Sequence, residues 1–443
     1  MAPDAVLLDV LRPRLLPFGE NLPRELMDAI GSARLALLGG ASTGTHEFQA
    51  LRAAITRELI GRHGCRAVVI EGDAPDAWRV NRWVRGLDGG EALEALAGFE
   101  RFPGWRWRNP VMLDFIQWLR EVNAGRPPRE RAGFYAMDLY GLSGPAHETL
   151  AWLDRVDPDA ARRARLRYAC LDHYQQNLEA YGCAAGFGIS REDGVVAQLT
   201  TALQRRPAPG VDDPDALFHA RQADRLAGQA KPYYRDMFRG RASCWNQREL
   251  HMVDTLQVLG EHLGQAQGEP ARLAVWGHTA HLGDASATAM AREGEWSVGE
   301  LARRRWPGET FLLGFTTSEG SVRAAADWDA PGRAMALPPA LEGSWEALFH
   351  ATGEDRFALL PDAALRAQLD RPLLERAIGA VYLPEAERRS HYLAARLFSQ
   401  FDAVLHVDRT RALDALAPAG TAADMEAPQI DSGASRRARE PAA

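Results

Sequence analysis

The sequence predicts an α/β protein: a mainly parallel central sheet flanked by helices, with a large helical insertion lying as a lid over the carboxyl ends of the strands. Three observations predict it. Short aliphatic runs that end in glycine or a polar residue recur along the chain. A segment of helical period separates the first two of these runs. The long middle of the chain then reads as helix by composition and period before the α/β alternation resumes.

Residues 34–39 (RLALLG) form the first expected strand. A helix follows over residues 45–63, where Phe48, Leu51, Ile55 and Leu59 recur at spacings of three and four, with Ser42 or Thr45 as its N-cap. Residues 66–71 (RAVVIE) form the second strand. A strand–helix–strand unit this compact makes its two strands parallel. A helix near residues 110–123 leads to a third strand at 133–138 (GFYAMD), and a fourth lies at 272–277 (RLAVWG). Further strands are expected at residues 310–316, 379–383 and 403–407. This divides the chain into a first part of the α/β core (1–145), a mostly helical insertion (146–265) and a second part of the core (266–415). The tail, 416–443, is rich in Ala, Pro, Gly and charge and is expected to be disordered.

Of the 443 residues, 46% are hydrophobic and 25% charged, with a net charge of -7, so no overall positive field draws nucleic acid or anionic lipid. No basic segment followed by an apolar stretch opens the chain, and no run approaches the length needed to span a bilayer. The four cysteines lack C-x-x-C spacing, which fits a reducing, cytoplasmic setting and argues against a disulfide framework. Neither a nucleic-acid nor a membrane partner is expected; oligomeric state is not legible.

In open α/β sheets, ligands bind beyond the carboxyl ends of the strands. There the first strand runs into Gly39-Gly40-Ala41-Ser42-Thr43-Gly44-Thr45-His46-Glu47, the second ends in Glu71, the third in Asp138 and the fourth in His278 and His281. The glycine-rich loop lacks the G-K-[ST] ending of a phosphate loop. Glu47 has a plain alternative role, complementing the helix dipole. Arg52 shares the apolar face of its helix with Phe48 and Ile55, so its guanidinium needs an acid, and Glu71 is the expected partner, as a site-organising pair or as an internal salt bridge. His278 and His281 form H-x-x-H, which suits acid–base or oxyanion work, with capping of the next turn as the bland reading. A metal would have to use these two histidines, but no third ligand is evident, so no metal or cofactor is expected. A serine nucleophile of the α/β-hydrolase kind is not expected.

Several blocks resemble the erythromycin esterase family. They are residues 37–86, FYAMDLYGLSG (134–144), RASCWNQRELHMVDTL (241–256), VWGHTAHLGDASATAM (275–290), GSWEALFH (343–350) and ERRSHYLAARLFSQFDAVLHVDRTRAL (387–413). They follow in order along almost the whole chain. The resemblance implies an α/β core with a helical lid and a cleft in which water is activated against the carbonyl of an ester or macrolactone, as in macrolide-resistance members. The family's first loop reads G-E-[AN]-[ST]-H-G-T-x-E-F, its His being the favoured base. This sequence has Gly40 at the Glu position and Thr43 at the His position, and neither accepts a proton near neutral pH. Glu47, Arg52, Glu71, His278 and His281 match.

The expected mechanism has His46 or His278 deprotonating water and His281 assisting at the oxyanion, with Arg52, Glu71 and Glu47 holding the group in place. Thr43, Asp76, Trp78, Arg79 and Trp105, with Trp83 and Trp107, are the candidate substrate contacts, although aromatics at such spacing serve equally as core. The substrate would be a small-molecule ester or lactone, bulky and largely apolar. The alternative is a ligand-binding or biosynthetic tailoring protein without esterase turnover, the usual base being Thr43.

Overall fold

The computed structural model describes residues 5–100, 102–139, 215–222, 225, 241–327 and 330–416. Its strands are β1 (Leu16–Pro17), β2 (Leu35–Gly40), β3 (Cys65–Ile70), β4 (Gly133–Ala136), β5 (Arg272–His278), β6 (Thr310–Thr316), β7 (Glu319–Ala324), β8 (Arg333–Leu337), β9 (Arg356–Leu359), β10 (Leu373–Arg376), β11 (Tyr392–Ala395), β12 (Ala403–Val407) and β13 (Arg409–Thr410). Eight of them make one sheet in the order β1-β9-β12-β6-β2-β5-β3-β4. From β12 to β4 every neighbouring pair is parallel, while β9 and β1 close one edge antiparallel.

Both faces of this sheet are covered, which explains why its strands read as continuous apolar runs rather than alternating ones. Ala36, Leu38, Val68, Ile70, Ala274 and Trp276 face one core with the helices His46–Arg62 and Pro110–Ala124. Leu35, Leu37, Ala67, Val69, Leu273 and Val275 face the other, with the helix Arg241–Gly264. Alternate residues of one strand thus serve opposite layers. Inside the first core the indole of Trp276 donates to the Thr56 hydroxyl at 2.8 Å, so its one polar atom is satisfied.

The expected strand at 379–383 is not one. Ile378 and Val381 form single bridges to Ser42 and Ala325, and Ile378 donates its N–H to the Ala41 carbonyl at 2.7 Å. Its apolar alternation, with Ile378 and Tyr382 buried, serves a small separate cluster around Val322 and Leu337. The two small sheets, β13-β7-β8 and β10-β11, are additions to the expected architecture. Most of the expected insertion, 146–265, and the tail beyond 416 lie outside the described residues; of the insertion, Arg241–Gly264 is a long helix. Among the described residues, no helix is long and apolar enough to cross a membrane.

Candidate active site

The carboxyl ends of β3, β4 and β5 open into a cavity of about 360 Å³. Glu71, one residue past β3, lines it and is buried. Its two oxygens accept both terminal nitrogens of Arg106, the Nη1 bond measuring 2.8 Å. Its Oε2 also accepts the backbone N–H of His278 at 2.8 Å. Arg248 and His281 Nε2 stand 3.5 and 3.4 Å from Oε1. Burial alone would raise the Glu71 carboxyl, but Arg106, His281 and Arg248 outweigh it and hold it well below the usual carboxylate range. Gly277 permits this approach, because a Cβ there would meet Glu71 Oε2 at 3.0 Å and Leu282 at 3.1 Å.

Arg106 reaches the site from the short turn Gly104–Arg106, whose last carbonyl is fixed by Gln49 and Asn109, each donating at 3.0 Å. The Trp107 indole donates to the Glu71 carbonyl at 3.0 Å. The helix Arg241–Gly264 contributes three side chains from one face. Arg248 forms a bidentate pair with Asp138, at 2.7 and 2.6 Å. Glu249, fully buried, accepts from Val298 N–H through Oε2 and holds His281 Nδ1 at 2.6 Å through Oε1. Trp245 stacks on the His281 ring, centroids 4.7 Å apart.

The two histidines are shifted in opposite directions. The His278 ring lies in a buried position, and its Nδ1 accepts the N–H of Ala280 at 3.2 Å. That bond assigns the proton to Nε2, which is buried without a hydrogen-bond partner. Burial pulls its pKa down to about 3, with His281, Arg106 and Arg52 pushing the same way against Glu71. His278 is therefore a neutral imidazole whose free donor belongs to a residue lining the cavity. In His281, burial favours the neutral ring, but Glu249 and Glu71 outweigh it and raise the pKa above 6.5. Burial raises the Glu249 carboxyl, partly countered by His281.

Of the residues expected at the site, Glu71, His278, His281, Thr43 and Asp76 line the cavity together. Thr43 donates its hydroxyl to the Gly379 carbonyl at 3.1 Å. Arg52 does not pair with Glu71. It binds the Leu38 and Gly277 carbonyls at 3.1 and 2.6 Å and sits over the Phe315 ring, burial and Arg106 lowering its pKa to about 9. Arg106, closer to the carboxylate, takes the partner role. His46 and Glu47 are not among the lining residues: His46 Nε2 accepts from Arg411, and Glu47 accepts the Arg411 N–H at 2.9 Å. Trp78 stacks on His219 at 4.4 Å beside a second, much smaller pocket. Trp105 packs edge-on against Phe102, Arg79 is exposed, and neither lines the cavity, whereas Phe99, Phe102 and Trp107 do.

Gly40-Ala41-Ser42-Thr43-Gly44 has the G-x-S-x-G spacing at a strand-to-helix turn, a match that the expectation of no serine nucleophile overlooks. The Ser42 hydroxyl is nevertheless buried, bound to that of Thr45 and absent from the cavity lining, so the geometry offers it no base. Arg106, Arg248 and Glu249 were missed. For Glu249 a signal existed: it precedes Met252 and Val253 by three and four, which puts a carboxylate on the buried face of its helix. Among the described residues, no group of three or more His, Cys, Asp or Glu is placed to hold a metal ion.

A mainly parallel α/β sheet with a buried carboxylate–imidazole–guanidinium cluster beyond its strand ends places this chain among the α/β proteins whose site lies at the carboxyl edge of the sheet. The family model for erythromycin esterase matches residues 60–410, and the chain belongs to the erythromycin esterase family. Solved structures with the same fold include a succinoglycan biosynthesis protein, 14% identical, covering 93% of this chain and 99% of its own with a TM-score of 0.73. A Bacillus cereus protein is 16% identical, with coverage of 93% and 99% and a TM-score of 0.75. A histidine variant of the erythromycin esterase EreC in its open conformation is 16% identical, with coverage of 87% and 93% and a TM-score of 0.58. At these identities the likeness is one of fold.

Proposed function

We propose that the protein hydrolyses a carboxylic ester or lactone of a small, largely apolar molecule, with His281 as general base. The observation that carries this is the Glu249–His281 pair. With Nδ1–H held by Glu249 at 2.6 Å, the neutral ring carries its lone pair on Nε2, 3.4 Å from Glu71 Oε1, in a residue that lines the cavity, and this is the arrangement of a carboxylate–imidazole base. Nε2 takes a proton from water as the water oxygen attacks the ester carbonyl. The oxyanion forms beside the unpartnered Nε2–H of His278, which donates to it without changing its own charge. On collapse of the tetrahedral intermediate, His281 returns its proton to the departing alkoxide, giving acid and alcohol. Glu71 and its two arginines fix the floor of the site, and Phe99, Phe102 and Trp107 supply apolar wall.

These roles replace the expected ones, in which His46 or His278 was the base: His46 faces Arg411, and His278 has a proton on the nitrogen that would have to accept one. Incubating the protein with macrolactones and aryl esters and following product mass tests the reading. A gain of one water, lost in His281→Ala and kept in His46→Ala, is the expected result. Tight binding of a macrolactone with no hydrolysis of any ester would instead favour the ligand-binding alternative.

A further inference from the structure

Bonded to the histidine turn, and not among the residues that line the cavity, is a buried acid that this mechanism does not use. Glu375, in β10, is 1% exposed and accepts the Thr279 hydroxyl at 3.0 Å through Oε1, while its Oε2 has no hydrogen-bond partner. Thr279 itself is buried. It stands between His278 and His281 in the four-residue helix Thr279–Leu282. A single helical turn has little stability of its own, so its shape depends on outside anchors. His281 is anchored by Glu249 and the His278 backbone by Glu71. The third anchor is the Thr279–Glu375 bond, from a separate two-stranded sheet. Leaving a carboxyl oxygen unpaired in the interior costs stability, and an apolar residue would avoid that cost.

We propose that Glu375 is a positioning residue of this site: its buried carboxyl holds the Thr279 hydroxyl and thereby sets the relative orientation of His278 and His281. The proposal rests on the hydrolase reading for its kinetic consequence, but not for its structural one. The groups facing Glu375 are Glu346 from the helix Trp345–His350, Thr279 from the histidine turn and Gln400 from the helix Leu397–Gln400. Its chain neighbour Arg376 is committed elsewhere, to Glu387 and to the carbonyls of Thr317, Ser318 and Pro338. No cation therefore offsets the carboxyl, and burial with Glu346 pushes its pKa up to about 8. It is an uncharged acid at neutral pH. Above that range it ionises next to the turn with no cation beside it, and its negative charge opposes the oxyanion that develops beside His278.

The test compares the parent with Glu375→Gln and Glu375→Ala. The amide retains an acceptor for Thr279 and cannot ionise; alanine removes the anchor. In ester hydrolysis between pH 6 and 10, the parent loses rate through a midpoint near 8, Glu375→Gln keeps the neutral-pH rate without that loss, and Glu375→Ala loses about tenfold or more in kcat with KM little changed. An identical alkaline limb in Glu375→Gln, or an unchanged kcat in Glu375→Ala, overturns the proposal. Histidine-ring NMR titration gives a readout independent of turnover. Shifted His278 and His281 signals in Glu375→Ala, restored in Glu375→Gln, support positioning even if no ester is ever cleaved. Signals identical in all three proteins reject it.

Discussion

His278 and His281, three residues apart and both buried, have their pKa values shifted in opposite directions, because their partners differ. One ring touches a backbone N–H and no carboxylate, whereas the other lies between Glu249 and Glu71. If His281 is the base, its raised pKa puts the working form on the alkaline side, so kcat/KM rises with pH through a midpoint above 6.5. His281→Gln is expected to lose about 10²- to 10⁴-fold in turnover together with that limb, as a pH–rate profile would reveal. His278→Ala is expected to lose about 10²- to 10³-fold in kcat, with substrate affinity nearly unchanged, since its donor acts on charge that appears only in the transition state. An equal loss in KM would mean that His278 binds ground-state substrate instead.

The elements differ in how plainly the chain announces them. Sheet strands covered on both faces are legible as aliphatic runs: β6 and β12 fall where expected, and β2, β3 and β5 lie within a residue. The small strands β7, β8, β10 and β11 show no regular alternation of buried and exposed residues, so no periodicity marks them. The site was half legible for the same reason. Residues at strand ends, such as Glu71 and His278, are placed by the sheet. Arg106 arrives on a short turn whose path is set by Gln49 and Asn109, contacts that no local pattern encodes. Removing it, as in Arg106→Leu, leaves Glu71 with a buried charge and should destabilise by up to about 3–5 kcal/mol in urea unfolding, less whatever Arg248 and His281 recover. The first loop is the other testable element. A Cβ on Gly40 would meet Arg52 Nη2 at 2.6 Å, the far end of a side chain that donates only to the Leu38 and Gly277 carbonyls, and the Ser42 carbonyl at 3.2 Å, and Thr43 already lines the cavity. Gly40→Glu with Thr43→His therefore gives Arg52 a carboxylate and the cavity a further imidazole. Ester turnover above that of the parent is the expected outcome, measured by product mass; a stable but slower protein would show that the loop has settled into another role.

At the scale of the whole molecule, buried titratable groups give stability a two-sided dependence on pH. His278 and His251 are neutral in the fold, burial lowering them to about 3 and about 4 from 6.5. As pH falls below 6.5, the unfolded chain gains protons that the fold refuses, so stability declines down to those values. Glu71 and Asp138, held below their ordinary ranges by their arginines, add to the loss at the acid end, where the unfolded carboxylates protonate first. Glu375 acts in the opposite sense. It retains its proton in the fold up to about 8 but releases it near 4.5 when unfolded, so its contribution is present at low pH and disappears between 4.5 and 8 as pH rises. Opposed slopes of this kind place the stability maximum between the two regimes. Unfolding midpoints in urea from pH 4 to 9 should show Glu375→Gln flatter than the parent on the alkaline side and His278→Gln flatter on the acid side. Curves parallel to the parent in both variants would mean that these two groups are solvated in the native protein, and the buried turn that carries the histidines would have to be open to water.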